Sequence, residues 1–240
     1  MSAETIHRQM NPNLIKNISN GLLRLFSKDI TLTGEEFIPI EGPAIIAANH
    51  MGILEVLPPY IYSSQAPIIF TKRENLKIPL FGNLLKNFGA IPVNRGEVDR
   101  QALRTAITML VNQKKILFTC PEGTRGRDID HNRTKLKEAK SGIIYIAQKA
   151  ANELNRPIPI SPWAIWGTEG IFPEIDEPGP IKKRFTLHRD NVFVSVGPPI
   201  FIYPSDKKQT KENMQIQIDT VMKEIREMLP LKYHGFYAEK

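Results

Sequence analysis

Apolar and polar positions along this chain follow two rhythms in turn, and the alternation predicts the fold. Leu14, Ile15, Ile18, Leu22, Leu25 and Phe26 recur at helical spacing with Lys16, Asn17, Asn20 and Arg24 between them, which predicts a short amphipathic helix. From Pro43 onward unbroken apolar runs appear: Ala44–Ala48, Pro67–Phe70, Ala90–Val93 and Ile116–Thr119 read as buried strands. Ala102, Leu103, Ala106, Ile107, Leu110 and Val111 mark a helix face between the last two. Ile143–Ala151 predicts a further helix, and Ile158–Ile165 and Asn191–Val196 two more strands. Met214, Ile218, Val221, Met222, Ile225 and Leu229 give a long closing helix that Pro230 stops.

Strand and helix in alternation predict an α/β fold with a mixed, largely parallel sheet covered by helices, an N-terminal amphipathic helix and a C-terminal helix. The 240 residues suit one domain. There is no internal repeat, and Gly167–Lys183, rich in Pro, Gly and acidic residues, reads as a surface loop. The apolar stripe of the first helix has two readings, packing on the domain or insertion into a lipid interface beside its basic residues, and the two could divide the face between them.

The formal charge of +7 predicts a surface that attracts anions, whether nucleic acid, acidic headgroups or a phosphorylated substrate. No stretch approaches the roughly 18 apolar residues of a spanning helix, and the polar start, Met1 to Met10, has no apolar segment of a secretory leader. A single cysteine, Cys120, rules out an internal disulfide framework. The expected location is the cytoplasm or its membrane surface.

Two short stretches carry the chemistry. Asn49 and His50 are followed by Glu55, five positions after the histidine, which gives a base and an orienting carboxylate. Pro121, Glu122, Gly123, Thr124 and Arg125 form a turn that ends in an arginine, a ready anion site. Each stretch directly follows an apolar strand, and in open α/β sheets ligands bind beyond the carboxyl ends of strands. Together they suggest transfer chemistry on a phosphate-bearing alcohol.

The chain resembles the PlsC-type glycerolipid acyltransferases, the 1-acylglycerol-3-phosphate O-acyltransferase family. Four blocks carry the resemblance: Asn49–Glu55; Phe88–Arg95 with its upstream segments Thr71–Glu74 and Ile78–Gly82; Pro121–Arg125; and Pro159–Ile165. It implies transfer of a fatty acyl chain from acyl-CoA or acyl carrier protein to the free hydroxyl of a lysophospholipid, without a metal or a resident cofactor. Residues 1–30 are then a membrane-associating helix and 31–240 a single acyltransferase domain, peripheral on the cytoplasmic face at an acidic membrane surface.

In that scheme His50 removes the hydroxyl proton and Glu55 holds the imidazole in the correct tautomer. The Gly123 amide is expected to face the oxyanion. Lys72, Arg95 and Arg125 are expected to bind the acceptor's phosphate. Glu122 and Thr124 orient the turn, with Glu122 directed at Arg125 or at a glycerol hydroxyl.

Three departures stand out. Glu55 replaces the family's aspartate, Met51 and Gly52 stand where many relatives carry a polar and an aromatic residue, and Cys120 replaces a phenylalanine. The extra methylene of Glu55 could detune the pair, leaving a weak acyl-CoA or lysolipid binder, or fit an altered backbone; on the family pattern aspartate at 55 should serve as well or better. Another lysophospholipid or acyl acceptor is a neighbouring reading. Cys120, at the end of an apolar strand with no sequence-adjacent base, reads as a small buried filler.

His7, His131, His188 and His234 are isolated in polar segments, and none of them has metal-ligand spacing to another His or Cys. The sequence holds neither a Gly-x-Ser-x-Gly elbow nor a phosphate-binding Gly-rich loop with Lys. No zinc-ligand pattern or aromatic RNA-binding signature supports nucleic acid as a partner.

Overall fold

The computed structural model describes residues 10–94, 98–123, 135–171, 188–207 and 209–239, together with the short strand backbones at 174–175 and 184–185. Helices are α1 (Pro12–Phe26), α2 (Leu57–Tyr62), α3 (Phe81–Asn87), α4 (Arg100–Gln113), α5 (Gly142–Leu154), α6 (Thr168–Ile171) and α7 (Lys211–Met228). Strands are β1 (Ser27–Thr33), β2 (Ala44–Ala48), β3 (Ile68–Lys72), β4 (Ala90–Val93), β5 (Ile116–Thr119), β6 (Ile158–Trp166), β7 (Glu174–Ile175), β8 (Arg184–Phe185), β9 (Asp190–Val196) and β10 (Ile200–Ile202).

The main sheet runs β1-β9-β6-β2-β5-β3-β4, with β10 pairing β6. From β6 to β4 the strands are parallel, while β9 and β10 are antiparallel to β6. The expected mixed, largely parallel sheet with helical cover is what forms. Its central strand β2 is buried at all five positions, AIIAA, because helices cover both faces of a parallel sheet and leave no side for polar residues. Successive side chains alternate between the covers: Ile45 and Ala47 join the core under α4, α5 and α7, while Ala44, Ile46 and Ala48 join the core under α1 and α2.

Helix α1 opens with Asn11, whose side chain caps the amide of Asn13, and with Pro12, whose missing donor costs nothing in a first turn. The stripe Ile15, Ser19 and Leu23 is fully buried, whereas Leu14, Leu22 and Leu25 are exposed. The face is thus divided: one stripe packs on α2 and the core, the other meets solvent. The helix runs directly into β1, a strand without a strong sequence signal because only Ile30 and Leu32 alternate within it.

The stretch expected to be a surface loop contains structure at its start. Thr168–Ile171 forms a single helical turn with Thr168 and Ile171 buried, and Glu174–Ile175 pairs with Arg184–Phe185. Four residues are too few to show helical periodicity within a segment rich in Pro, Gly and acidic residues.

Candidate active site

Strands β2 and β5 are parallel neighbours in register, Ala47 opposite Thr119, so the segments that follow them emerge side by side. Asn49 leaves β2 fully buried. Its side-chain amide accepts from the Ile165 N–H at 2.8 Å and donates to the Ile165 carbonyl at 2.6 Å. The Asn49 amide therefore acts as a surrogate peptide group: it extends the β2–β6 ladder past Ala48 and frees the main chain to bend toward β5. Residue type alone does not reveal this role; the available signal is an amide side chain directly at the end of an apolar strand.

His50 sits on that bend. Its backbone N–H donates to Glu122 Oε1 at 2.8 Å, and Glu122 Oε2 accepts from the Lys137 N–H at 2.9 Å. Glu122 thus ties three chain segments together, the end of β2, the turn after β5 and the 135–140 loop. Burial pushes its carboxyl up to about 8, against the two amides that favour the anion, with the nearby Glu55 charge adding to the rise.

The imidazole Nδ1 lies 2.9 Å from Glu55 Oε2. Glu55 stands on the single 3₁₀ turn Leu54–Val56 and points back, so that its other oxygen accepts from the Met51 and Gly52 amides. With its proton on Nδ1 the ring donates to the carboxylate, which leaves Nε2 as the acceptor. Glu55 is buried, while the His50 side chain keeps 24% exposure. Burial raises the Glu55 carboxyl above its ordinary range, and the bonds from His50, Gly52 and Met51 oppose the rise.

Gly52 has a local reason. A Cβ there would stand 2.4 Å from Thr168 Oγ1, so the turn carrying the pair packs tightly on α6 and admits no larger residue in this arrangement.

One expectation changes on the geometry, and another is narrowed. The Gly123 amide does not face an oxyanion; it donates to the Cys120 carbonyl at 3.0 Å, and the left-handed φ of 70° serves this tight turn. Glu122, expected to orient Arg125 or the turn or to bond a glycerol hydroxyl, has its oxygens on the His50 and Lys137 amides, the backbone-orienting form of that expectation. Lys72 is exposed at the carboxyl end of β3, on the same edge as His50. Arg95, Thr124 and Arg125 lie outside the described residues.

Cys120 comes closer to the chemistry than its sequence position suggested. One donor atom each from His50, Glu55 and Cys120 lies within 4.8 Å of the others. Burial, with the Glu55 and Glu122 charges adding, pushes the Cys120 thiol well above its usual range, so it stays protonated and poorly nucleophilic.

Raised carboxyl pKa values set the sign of a pH effect. A folded-state value of about 8 for Glu122 against an ordinary 4.5 means that the folded chain holds more protons than the unfolded chain across that window. Stability from this group therefore falls as pH rises from about 4.5 to about 8, and Glu55 acts in the same direction. Thermal unfolding scanned against pH should show this decline. Glu122→Gln should flatten it while lowering the midpoint at low pH, because a side-chain NH₂ would then oppose one of the two amide donors; an unchanged slope would remove Glu122 as its source.

Fold and site together define an α/β protein with an imidazole–carboxylate pair at the open edge of a parallel sheet. The chain belongs to the Acyltransferase family, which matches residues 29–166, a span that includes His50, Glu55, Lys72 and Glu122. Among solved structures it is similar to PlsC, the 1-acyl-sn-glycerophosphate (LPA) acyltransferase from Thermotoga maritima, with a TM-score of 0.67 and 23% identity over 90% of this chain and 79% of that one. No curated protein matches the sequence significantly. The resemblance to PlsC-type acyltransferases read from the four blocks is borne out.

Proposed function

We propose that this protein moves a fatty acyl chain from acyl-CoA or acyl carrier protein to the free hydroxyl of 1-acylglycerol-3-phosphate, giving phosphatidic acid. The observation that carries the reading is the 2.9 Å contact between His50 Nδ1 and a Glu55 carboxylate already fixed by two backbone amides. A hydroxyl is a poor nucleophile at neutral pH, so Nε2 takes its proton as the oxygen attacks the thioester carbon. The C–S bond then breaks, and the proton passes to the leaving thiolate. No covalent acyl-enzyme is needed. Lys72, Arg95 and Arg125 are assigned to the acceptor's phosphate, and the activity named for PlsC supports that acceptor.

The experiment is a paired assay of free thiol and acylated lipid across several lysophospholipids. Thiol and phosphatidic acid should rise together with lysophosphatidic acid as acceptor. Thiol release without acylated lipid would mean hydrolysis, and faster turnover on another headgroup would reassign the acceptor.

The lipid substrate places the working enzyme at a membrane. Among the described residues no helix is long and apolar enough to cross one, which fits our reading of peripheral attachment at an acidic surface on the cytoplasmic side. Strand β1 begins where the parallel strands end, so Leu22 and Leu25 lie on the same sheet edge as His50. Ile53, Ile78, Leu80 and Phe81 follow β2 and β3 at that edge, all exposed, and Leu80 is 85% exposed with a positive φ of 62°. Lys72, Arg73 and Lys77 flank them.

Leu25→Glu with Leu80→Glu should weaken binding to acidic vesicles roughly ten- to a hundredfold or more, the loss expected when large apolar side chains no longer enter lipid. Ile40→Glu, equally exposed but before β2 at the opposite edge, should leave binding unchanged. Equal losses in the two proteins would place the membrane face elsewhere. Deleting the whole of α1 is a poorer test, because Ile15 and Leu23 belong to the core.

A further inference from the structure

We propose that His50, Glu55 and Cys120 form an inhibitory site for a thiophilic divalent cation of the zinc class. The three residues come from the end of β2, the turn that follows it and the end of β5, so only the fold assembles them. Their donor atoms, an imidazole nitrogen, a carboxylate oxygen and a thiol sulfur, lie within 4.8 Å of one another. Tetrahedral zinc with bonds of about 2.0 to 2.3 Å sets its ligand atoms roughly 3.3 to 3.7 Å apart. The outermost pair need close by only about an ångström, and the His50–Glu55 pair, now at 2.9 Å, need open slightly. The partly exposed His50 side gives a fourth position to water.

Donor type selects the cation. Thiolate and imidazole favour zinc or cobalt over magnesium and calcium, which take oxygen ligands. Charge favours binding as well. A dication with two anionic ligands and one neutral imidazole leaves the site with no net charge. From the state with Glu55 ionised, Cys120 loses its thiol proton to solvent. The imidazole stays neutral, its proton moving from Nδ1 to Nε2 as the metal takes the Nδ1 lone pair. One proton is released per ion bound.

The same step accounts for inhibition. With Nδ1 on the metal and the proton on Nε2, His50 has no lone pair left to accept a hydroxyl proton. Binding follows from the geometry alone; its effect on turnover rests on the base role proposed above for His50.

The test uses the full chain, with cobalt(II) as a spectroscopic probe and zinc as its competitor. Uptake of one cobalt should give a thiolate-to-cobalt charge-transfer band in the near ultraviolet, which zinc abolishes and magnesium does not. Cys120→Val should lose the band and His50→Gln should weaken zinc binding by more than about tenfold, at least the loss seen when mere supporting contacts of a metal ligand are removed. His188→Gln and His234→Gln should change neither. Zinc should suppress formation of acylated lipid in the parent over the range in which it displaces cobalt. The site is overturned if the folded parent gives no charge-transfer band, or if the band survives in Cys120→Val or zinc affinity in His50→Gln. Displacement of cobalt without any loss of acyl transfer would overturn the inhibition, and with it the base role of His50, while leaving the site itself standing.

Discussion

His50→Ala should lower the rate of acyl transfer by on the order of 10² to 10⁴, the usual contribution of a positioned general base. The fold should survive the change, since the imidazole is partly exposed and its only side-chain partner among the described bonds is Glu55. What the substitution leaves behind is a buried carboxylate whose Oε1 still accepts from the Met51 and Gly52 amides, so the turn keeps two of its three bonds. Single-turnover measurement of lipid product beside a thermal melt separates the two effects. A variant with parental turnover would move the base elsewhere, and one that failed to fold would make His50 a structural residue first.

Much of the fold was legible because burial leaves a simple signature. The run Ala44–Ala48 reads as a strand since both faces of β2 are covered, and the rise of polar residues directly after it marks the open edge where His50 sits. Helices α4, α5 and α7 each repeat apolar residues over three turns or more, enough for the period to show. Strand β1 is not legible because two alternating residues, Ile30 and Leu32, are too few to distinguish from a loop, and its partner β9 lies more than 150 residues away, Thr33 opposite Ser195. Helix α2 is hidden for another reason: Pro58 and Pro59 sit in its first turn, where they are tolerated but read as a break.

The site divided along the same line. His50 and Glu55 were legible because their contact is local in sequence, closed by one turn of chain. The clamp made by Glu122 joins His50 to a residue 72 positions away, and its direction depends on how β2 and β5 sit side by side. The same neighbourhood brings Cys120 toward the imidazole and engages the Gly123 amide in a turn. None of these follows from residue type, since a buried glutamate beside a glycine could equally have faced solvent, substrate or an arginine.

Glu55→Gln carries the second large effect, and the geometry fixes its expected size relative to aspartate. Oε1 serves the Met51 and Gly52 amides while Oε2 serves Nδ1, so all three bonds point into acceptors. A glutamine must turn its NH₂ toward one set. Facing the ring, it would favour the tautomer with the proton on Nε2 and silence the base; facing the amides, it would oppose two donors in a buried turn. Turnover should therefore drop by two orders of magnitude or more, with a melt lowered in the second case and nearly unchanged in the first. Aspartate keeps the charge but is shorter by one carbon–carbon bond, about 1.5 Å, and from the same backbone it cannot reach the ring and both amides together. The arrangement thus reverses the expectation drawn from the family's usual aspartate: in this chain, where Gly52 lets the turn pack on Thr168, glutamate is the fitting length and Glu55→Asp should lose activity, though less than Glu55→Gln. Steady-state turnover of the three proteins on lysophosphatidic acid decides it. Parental activity in Glu55→Gln would dissolve the pair, and an inactive parent rescued by Glu55→Asp would make this chain a lysolipid- or thioester-binding relative that the longer side chain has disabled.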